Sequence, residues 1–248
     1  MNAAKDNTVS ARRWGLVLSV LAAAAMLWAF YLIFFYAPTE REMGVVQRIF
    51  YVHVPSAWVG FLAFGIVALC SVGYLWLKDD RLDAVAVSAA EIGVVFTTIV
   101  LLTGPLWAKL AWGAWWVWDP RITLTLLLWF IYIGYFMVRG ATENPERGKR
   151  FSAVVGIVGA IDIPLIHMSV YWFRSQHPQP VIVRPEGPAA DTEIVQTLLV
   201  SLLAFTLTFL ALLTHRYALE KLRSRVRFVT YRRLRGERAV PATEGASR

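Results

Sequence analysis

The chain has 248 residues, 57% of them hydrophobic, and a formal net charge of +8. With a mean hydropathy of +0.52 it is too apolar for a water-soluble domain of this length. One cysteine, Cys70, excludes an intrachain disulfide. The sequence has no CxxCH haem-attachment motif and no GxxxxGK[ST] phosphate loop, which excludes a c-type cytochrome and a P-loop ATPase.

Six apolar runs predict six helices, since about 20 apolar residues cross a bilayer and helices satisfy their own backbone polar groups there. The runs are 14–36, roughly 57–77, 84–106, 122–138, 151–173 and 194–214. The first is too long for a signal peptide and passes Ala25 without a polar cleavage region, so it is read as a retained span. All but six of the 25 basic residues fall on the termini and the even-numbered connections. The six exceptions are Arg41, Arg48, Lys109, Arg121, Arg174 and Arg184. By the positive-inside rule both termini are cytoplasmic, and three short loops, 37–56, 107–121 and 174–193, face outward. The fold class is therefore an all-α integral membrane protein, with a six-span domain over 1–215 and a basic cytoplasmic tail over 216–248. The tail's "RSRVRFVTYRRLRGER" suits anionic lipid or a cytoplasmic partner better than nucleic acid.

In chain order, the first polar feature is "IFYVHVPSAW", which sets His53 where the first outward loop meets span two. Glu91 interrupts span three; a carboxylate there is costly and must pair or face a cavity. Next comes "WGAWWVWDPRIT". Trp107, Trp112, Trp115, Trp116 and Trp118 put five of the chain's 11 tryptophans within twelve positions. The plain reading of boundary tryptophans is an interfacial belt, but a belt fixes depth and does not require adjacency. Asp119 before Pro120 reads as the N-cap of span four. Span five carries Asp162, Pro164 and His167, with His167 inside the apolar zone. His177 follows in "FRSQHPQP", and His215 lies at the inner end of span six, where it reads as a hydrogen-bonded interfacial residue.

Two histidines near one surface, on either side of an indole-rich turn, suit a flat metalloporphyrin. Imidazoles ligate the iron, aromatic faces stack on the ring, and cations take the propionates. Arg48, Lys109, Arg121 and Arg174 are on the correct side for that.

"YVHVPSA", "TGPLWAKLAWGAWWVWDPRIT" and "IPLIHMSVYWF" together resemble the WWD-motif family of haem-handling membrane proteins, and within it the CcmC, or haem exporter protein C, type. The resemblance implies that haem b, held non-covalently, sits over the WWD segment at the periplasmic face of the cytoplasmic membrane. It implies iron ligation by His53 and His177 from the flanking outer loops, with His167 the rival for the second ligand. The cofactor-binding set expected around them is Trp107, Trp112, Trp115, Trp116, Trp118, Asp119, Arg121 and Arg48. It further implies delivery of haem to the periplasmic chaperone CcmE, beside the ABC transporter subunits CcmA and CcmB and the small membrane protein CcmD. ATP hydrolysis then belongs to a partner, and the chain is not itself an enzyme. The competing readings are a membrane b-type cytochrome subunit, a cytochrome c–haem synthetase-type protein, and a structural subunit with an aromatic belt.

Overall fold

The computed structural model describes residues 2–41, 43–173, 175–177, 185 and 187–234, with side chains from Arg13 onward except Arg225 and Leu234. Arg174, Arg184 and residues 235–248 lie outside the described residues, as do the side chains of Lys5 and Arg12.

The helices are α1 (Asn2–Tyr31), α2 (Phe50–Leu77), α3 (Asp80–Trp112), α4 (Pro120–Gly140), α5 (Pro145–Trp172) and α6 (Thr192–Leu234). All six contain a stretch long and apolar enough to cross a membrane. α1 runs on through a π-helical turn, Leu32–Tyr36. It stops at Ala37, whose ψ of 129° is the extended conformation that a following proline, here Pro38, imposes.

Local chemistry sets the other boundaries. Asp79, Asp119 and Asn144 cap α3, α4 and α5, each accepting a backbone N–H two residues on. Pro120 and Pro145 occupy the first helical positions, where a missing N–H costs nothing. α3 ends on Gly113 at φ 77°, a left-handed cap that favours glycine. α3 is longer than the apolar run predicts, so Trp107, Lys109 and Trp112 belong to its last turns and not to a loop. α2 likewise starts at Phe50, which places His53 on the helix. α6 runs without a break across residue 215; its 43 residues span about 65 Å, roughly twice a bilayer's apolar core.

α2 packs chiefly on α3, α4 on α5 and α1 on α6, and α2 bridges to both α5 and α6. At the centre, the rings of Phe64 (α2) and Tyr132 (α4) stack with centroids 3.7 Å apart. The pair is gripped by two glycines. A Cβ on Gly93 (α3) would lie 2.5 Å from Phe64 Cε1, and one on Gly159 (α5) 2.9 Å from Tyr132 Cε2. Four helices thus meet at one aromatic stack, because small residues let backbones approach closely in a membrane bundle.

The two ends of the bundle differ. One carries the connections 78–79 and 141–144 and the overhang of α6; it is rich in ion pairs. The other carries residues 37–41, 43–49, 113–119, 175–177 and 187–191 and holds a cavity.

Candidate ligand-binding cavity

A cavity of about 190 Å³ opens among the ends of α2, α3 and α4. His53, Ala57 and Phe61 come from α2, and Thr97, Leu101, Pro105 and Trp107 from α3. Arg121, Ile122 and Thr125 come from α4 and Ile166 from α5. Trp112, Trp116 and His177 complete the wall. Among the described residues the lining therefore holds two imidazoles and one guanidinium but no carboxylate.

The indoles split into two groups. Trp107 and Trp112 meet edge to face at 5.3 Å, and Trp116 meets Trp118 in the same way at 5.6 Å. Trp107, Trp112 and Trp116 line the cavity. Trp115 and Trp118 are 58% and 76% exposed and point outward beside it. The buried Nε1–H of Trp116 has no hydrogen-bond acceptor among the described residues. Such an orphaned donor is expensive unless a ligand or water takes it.

Asp119 does more than cap α4. It is 6% exposed. Oδ1 accepts the Arg121 backbone N–H at 2.9 Å. Oδ2 accepts the Ser175 hydroxyl at 2.7 Å and the Gln176 backbone N–H at 2.8 Å. The His177 N–H in turn donates to Ser175 Oγ at 3.1 Å. The aspartate of the tryptophan motif thus ties the chain after α5, and His177 with it, to the start of α4. Burial alone would raise its pKa. The hydrogen bonds from Ser175, Arg121 and Gln176, with the field of His177, more than offset burial and hold the carboxyl below the usual carboxylate range. Of this clamp, sequence reasoning reached only the cap. Nothing in the periodicity marks Ser175 and Gln176 as partners.

Arg121 sends its side chain to the cavity wall, where it makes no ion pair or side-chain hydrogen bond among the described residues. Two of the other predicted cations lie elsewhere. Arg48 does not line the cavity; its guanidinium sits 5.7 Å over the Phe34 ring. Lys109 donates to the Gly113 carbonyl at 3.0 Å and so closes the end of α3.

His53 hydrogen-bonds through Nδ1 to Thr103 Oγ1 at 2.8 Å, and its ring lies within the electrostatic reach of His177 and Arg121. His167, the rival ligand, is exposed on the flank of α5 near the Tyr171 ring and does not line the cavity. His215 pairs with Ser19 Oγ at 3.0 Å and pins α6 to α1. Glu91 finds the partner it requires in Arg216 of α6. Asp162 is 5% exposed, and neither of its oxygens has a partner among the described residues.

Six helices able to cross a membrane, bundled so that imidazoles, indoles and the Arg121 guanidinium line a cavity at one end, define a multi-pass membrane protein with a chemically specialised cavity. The chain belongs to the heme exporter protein C family, whose model, CcmC, matches residues 2–232. It is 38% identical to the heme exporter protein C of Bradyrhizobium diazoefficiens over 191 residues, covering 77% of this chain and 73% of the relative. It is 30% identical to that of Haemophilus influenzae over 204 residues, covering 82% and 81% of the two chains. A putative cytochrome c biosynthesis ccmC-like mitochondrial protein of Marchantia polymorpha is 38% identical over 149 residues, 60% of this chain and 63% of the relative.

Proposed function

We propose that this protein binds haem at the cavity and hands it to an acceptor during c-type cytochrome biogenesis. The observation that carries this is the wall itself: among the described residues, two imidazoles and a guanidinium without an ion pair face an apolar, indole-lined space that contains no acid. That combination suits a planar, apolar, anionic metal complex. In this reading His53 and His177 ligate the iron from α2 and from the segment after α5. Arg121 and the Trp116 N–H receive propionate, and Trp107 and Trp112 pack against the ring.

At about 190 Å³ the cavity is smaller than the roughly 300–1,000 Å³ that encloses a small molecule. The residues therefore grip one part of the haem and leave the rest uncovered beside Trp115 and Trp118. A cargo held this way is accessible to an acceptor. In this reading the site faces the periplasmic side of the cytoplasmic membrane, which the distribution of basic residues supports. CcmE is then the acceptor and CcmA, CcmB and CcmD the companions, with ATP hydrolysis in the transporter; membership of the heme exporter protein C family supports this. A haem buried within the helices, as in a b-type cytochrome, finds no support from His167, which lies on the flank of the bundle.

The test is a titration of the full-length protein in detergent with ferric haem b. Wild type and His167→Ala should saturate alike. His53→Ala and His177→Ala should each retain little haem while their helix content is unchanged. Equal binding by all four proteins would overturn the proposal.

A further inference from the structure

We propose that Thr103 is a positioning residue that fixes the tautomer of His53, so that Nε2 is the nitrogen offered to the iron. The inference rests on the haem-binding reading for its purpose but not for its geometry. Thr103 lies in α3 and is not part of the cavity wall. Its Oγ1 is 2.8 Å from His53 Nδ1. Between two such groups either partner can in principle donate, because both the hydroxyl and a neutral imidazole can give or take a proton.

The hydroxyl's own proton decides. Thr103 Oγ1 donates to the Ile99 carbonyl one turn back at 2.7 Å, with the Val100 carbonyl at 3.4 Å as its only other acceptor on the helix. With its one hydrogen spent on a carbonyl, the oxygen presents lone pairs to the ring. The His53 Nδ1–H must therefore be the donor. The single proton of the neutral imidazole then sits on Nδ1, and Nε2, across the ring, keeps its lone pair.

Gly104, the next residue on α3, lies beside the ring, where even a Cβ would meet His53 Cε1 at an ordinary 3.5 Å. The imidazole is hydrogen-bonded to α3 at Nδ1, and Nε2 has no hydrogen-bond partner among the described residues. Iron ligation needs that bare nitrogen, and a hydrogen bond donated from the opposite N–H makes the ligating nitrogen a stronger base. Thr103 does this with no contact to the cargo, which is why no spacing rule in the sequence points to it.

Two measurements test the assignment. In the first, the haem-free, full-length chain carries ring-¹⁵N histidine, and the His53 signals are identified by their loss in His53→Ala. Wild type and Thr103→Ser should show a protonated Nδ1 and a bare Nε2, and Thr103→Val should show a mixture. A protonated Nε2 in wild type, or an unchanged spectrum in Thr103→Val, overturns the assignment whether or not the protein binds haem.

In the second, the same proteins are titrated with ferric haem b. Thr103→Val should bind roughly 10- to 100-fold more weakly, the usual effect of losing an outer-shell partner. Its reduction potential should rise, because a less basic imidazole stabilises ferric iron less. Thr103→Ser should restore both. If wild type takes up no haem, the proposed function fails while the nitrogen spectrum still decides the tautomer. If His53→Ala loses haem but Thr103→Val matches wild type in affinity and potential, the role given to Thr103 fails alone.

Discussion

The two ends of this bundle use charge in opposite ways. At the ion-pair end, the Arg139 guanidinium of α4 grips both oxygens of Asp83 on α3 at 2.7 and 2.6 Å. It also reaches Ser152 of α5 at 3.1 Å and Glu220 of α6 at 3.9 Å. Lys149 lies between Asp80 and Glu146, at 2.6 and 2.7 Å, and Arg227 pairs with Glu220. That end also contains the larger hollow, about 620 Å³, yet these cations on its wall already have carboxylates. The smaller cavity at the other end has a guanidinium and two imidazoles and, among the described residues, no acid in its lining. What separates the two hollows is less their size than the chemistry of their walls: carboxylate-paired cations that hold helices together in one, imidazoles, indoles and a guanidinium without an ion pair among the described residues in the other.

That contrast breaks most visibly at Arg139. Its replacement by leucine leaves Asp83, which is buried, without a counter-charge, and losing one member of a buried pair costs about 3–5 kcal/mol. Arg139→Leu should lower the thermal midpoint in detergent strongly. Below that midpoint it should bind haem as wild type does. A melting temperature close to wild type would mean that the network contributes no stability.

Asp119 sharpens the comparison, because it lies beside the cavity and its oxygens are taken by two backbone N–H groups and the Ser175 hydroxyl. Asp119→Asn removes an ionised acceptor from two donors, at about 1.5–3 kcal/mol for a hydrogen bond to a charged group. Hydrogen exchange at the Gln176 amide should then be roughly ten- to a hundred-fold faster. The lowered pKa of Asp119 gives the sign of the acid effect. The clamp is fully formed above the ordinary carboxylate range and is lost as pH falls through the depressed native value. Exchange at Gln176, corrected for the intrinsic rate, should accelerate only in that acid window, and Asp119→Asn should show no such dependence. Acid acceleration equal in the two proteins would separate the clamp from Asp119.

The smallest effect is expected at Arg121. Arg121→Gln should weaken ferric haem binding about tenfold, or 1.4 kcal/mol. Haem dimethyl ester, which lacks the propionate charge, should bind the two proteins alike. A tenfold loss that persists with the ester would assign Arg121 a packing role.

Much of this was legible in the sequence. The apolar runs gave the six helices, Asp-Pro gave the start of α4, and Glu91 announced a partner that proved to be Arg216. The tryptophan motif located the cavity. What the sequence could not supply is which way a residue points on a membrane helix. Lipid and bundle interior are equally apolar, so hydrophobic periodicity carries little phase. Hence Arg48, expected at the cavity, lies over Phe34, and His167, the rival ligand, lies exposed on α5 rather than in the cavity lining. Thr103, Ser175 and Gln176 act through single hydrogen bonds across 50 or more residues of chain, and no local pattern encodes those. The full length of α6 was hidden for another reason. Its overhang is rich in arginine and therefore reads as a tail, although arginine is a good helix former.

The most direct test of the central claim is the electron paramagnetic resonance spectrum of ferric haem on the full-length protein. The account predicts a low-spin signal with two axial imidazoles. It should convert to high spin in His53→Gly and in His177→Gly and return in both when free imidazole is added. A low-spin signal that survives both replacements, or one that disappears only with His167→Gly, would contradict it.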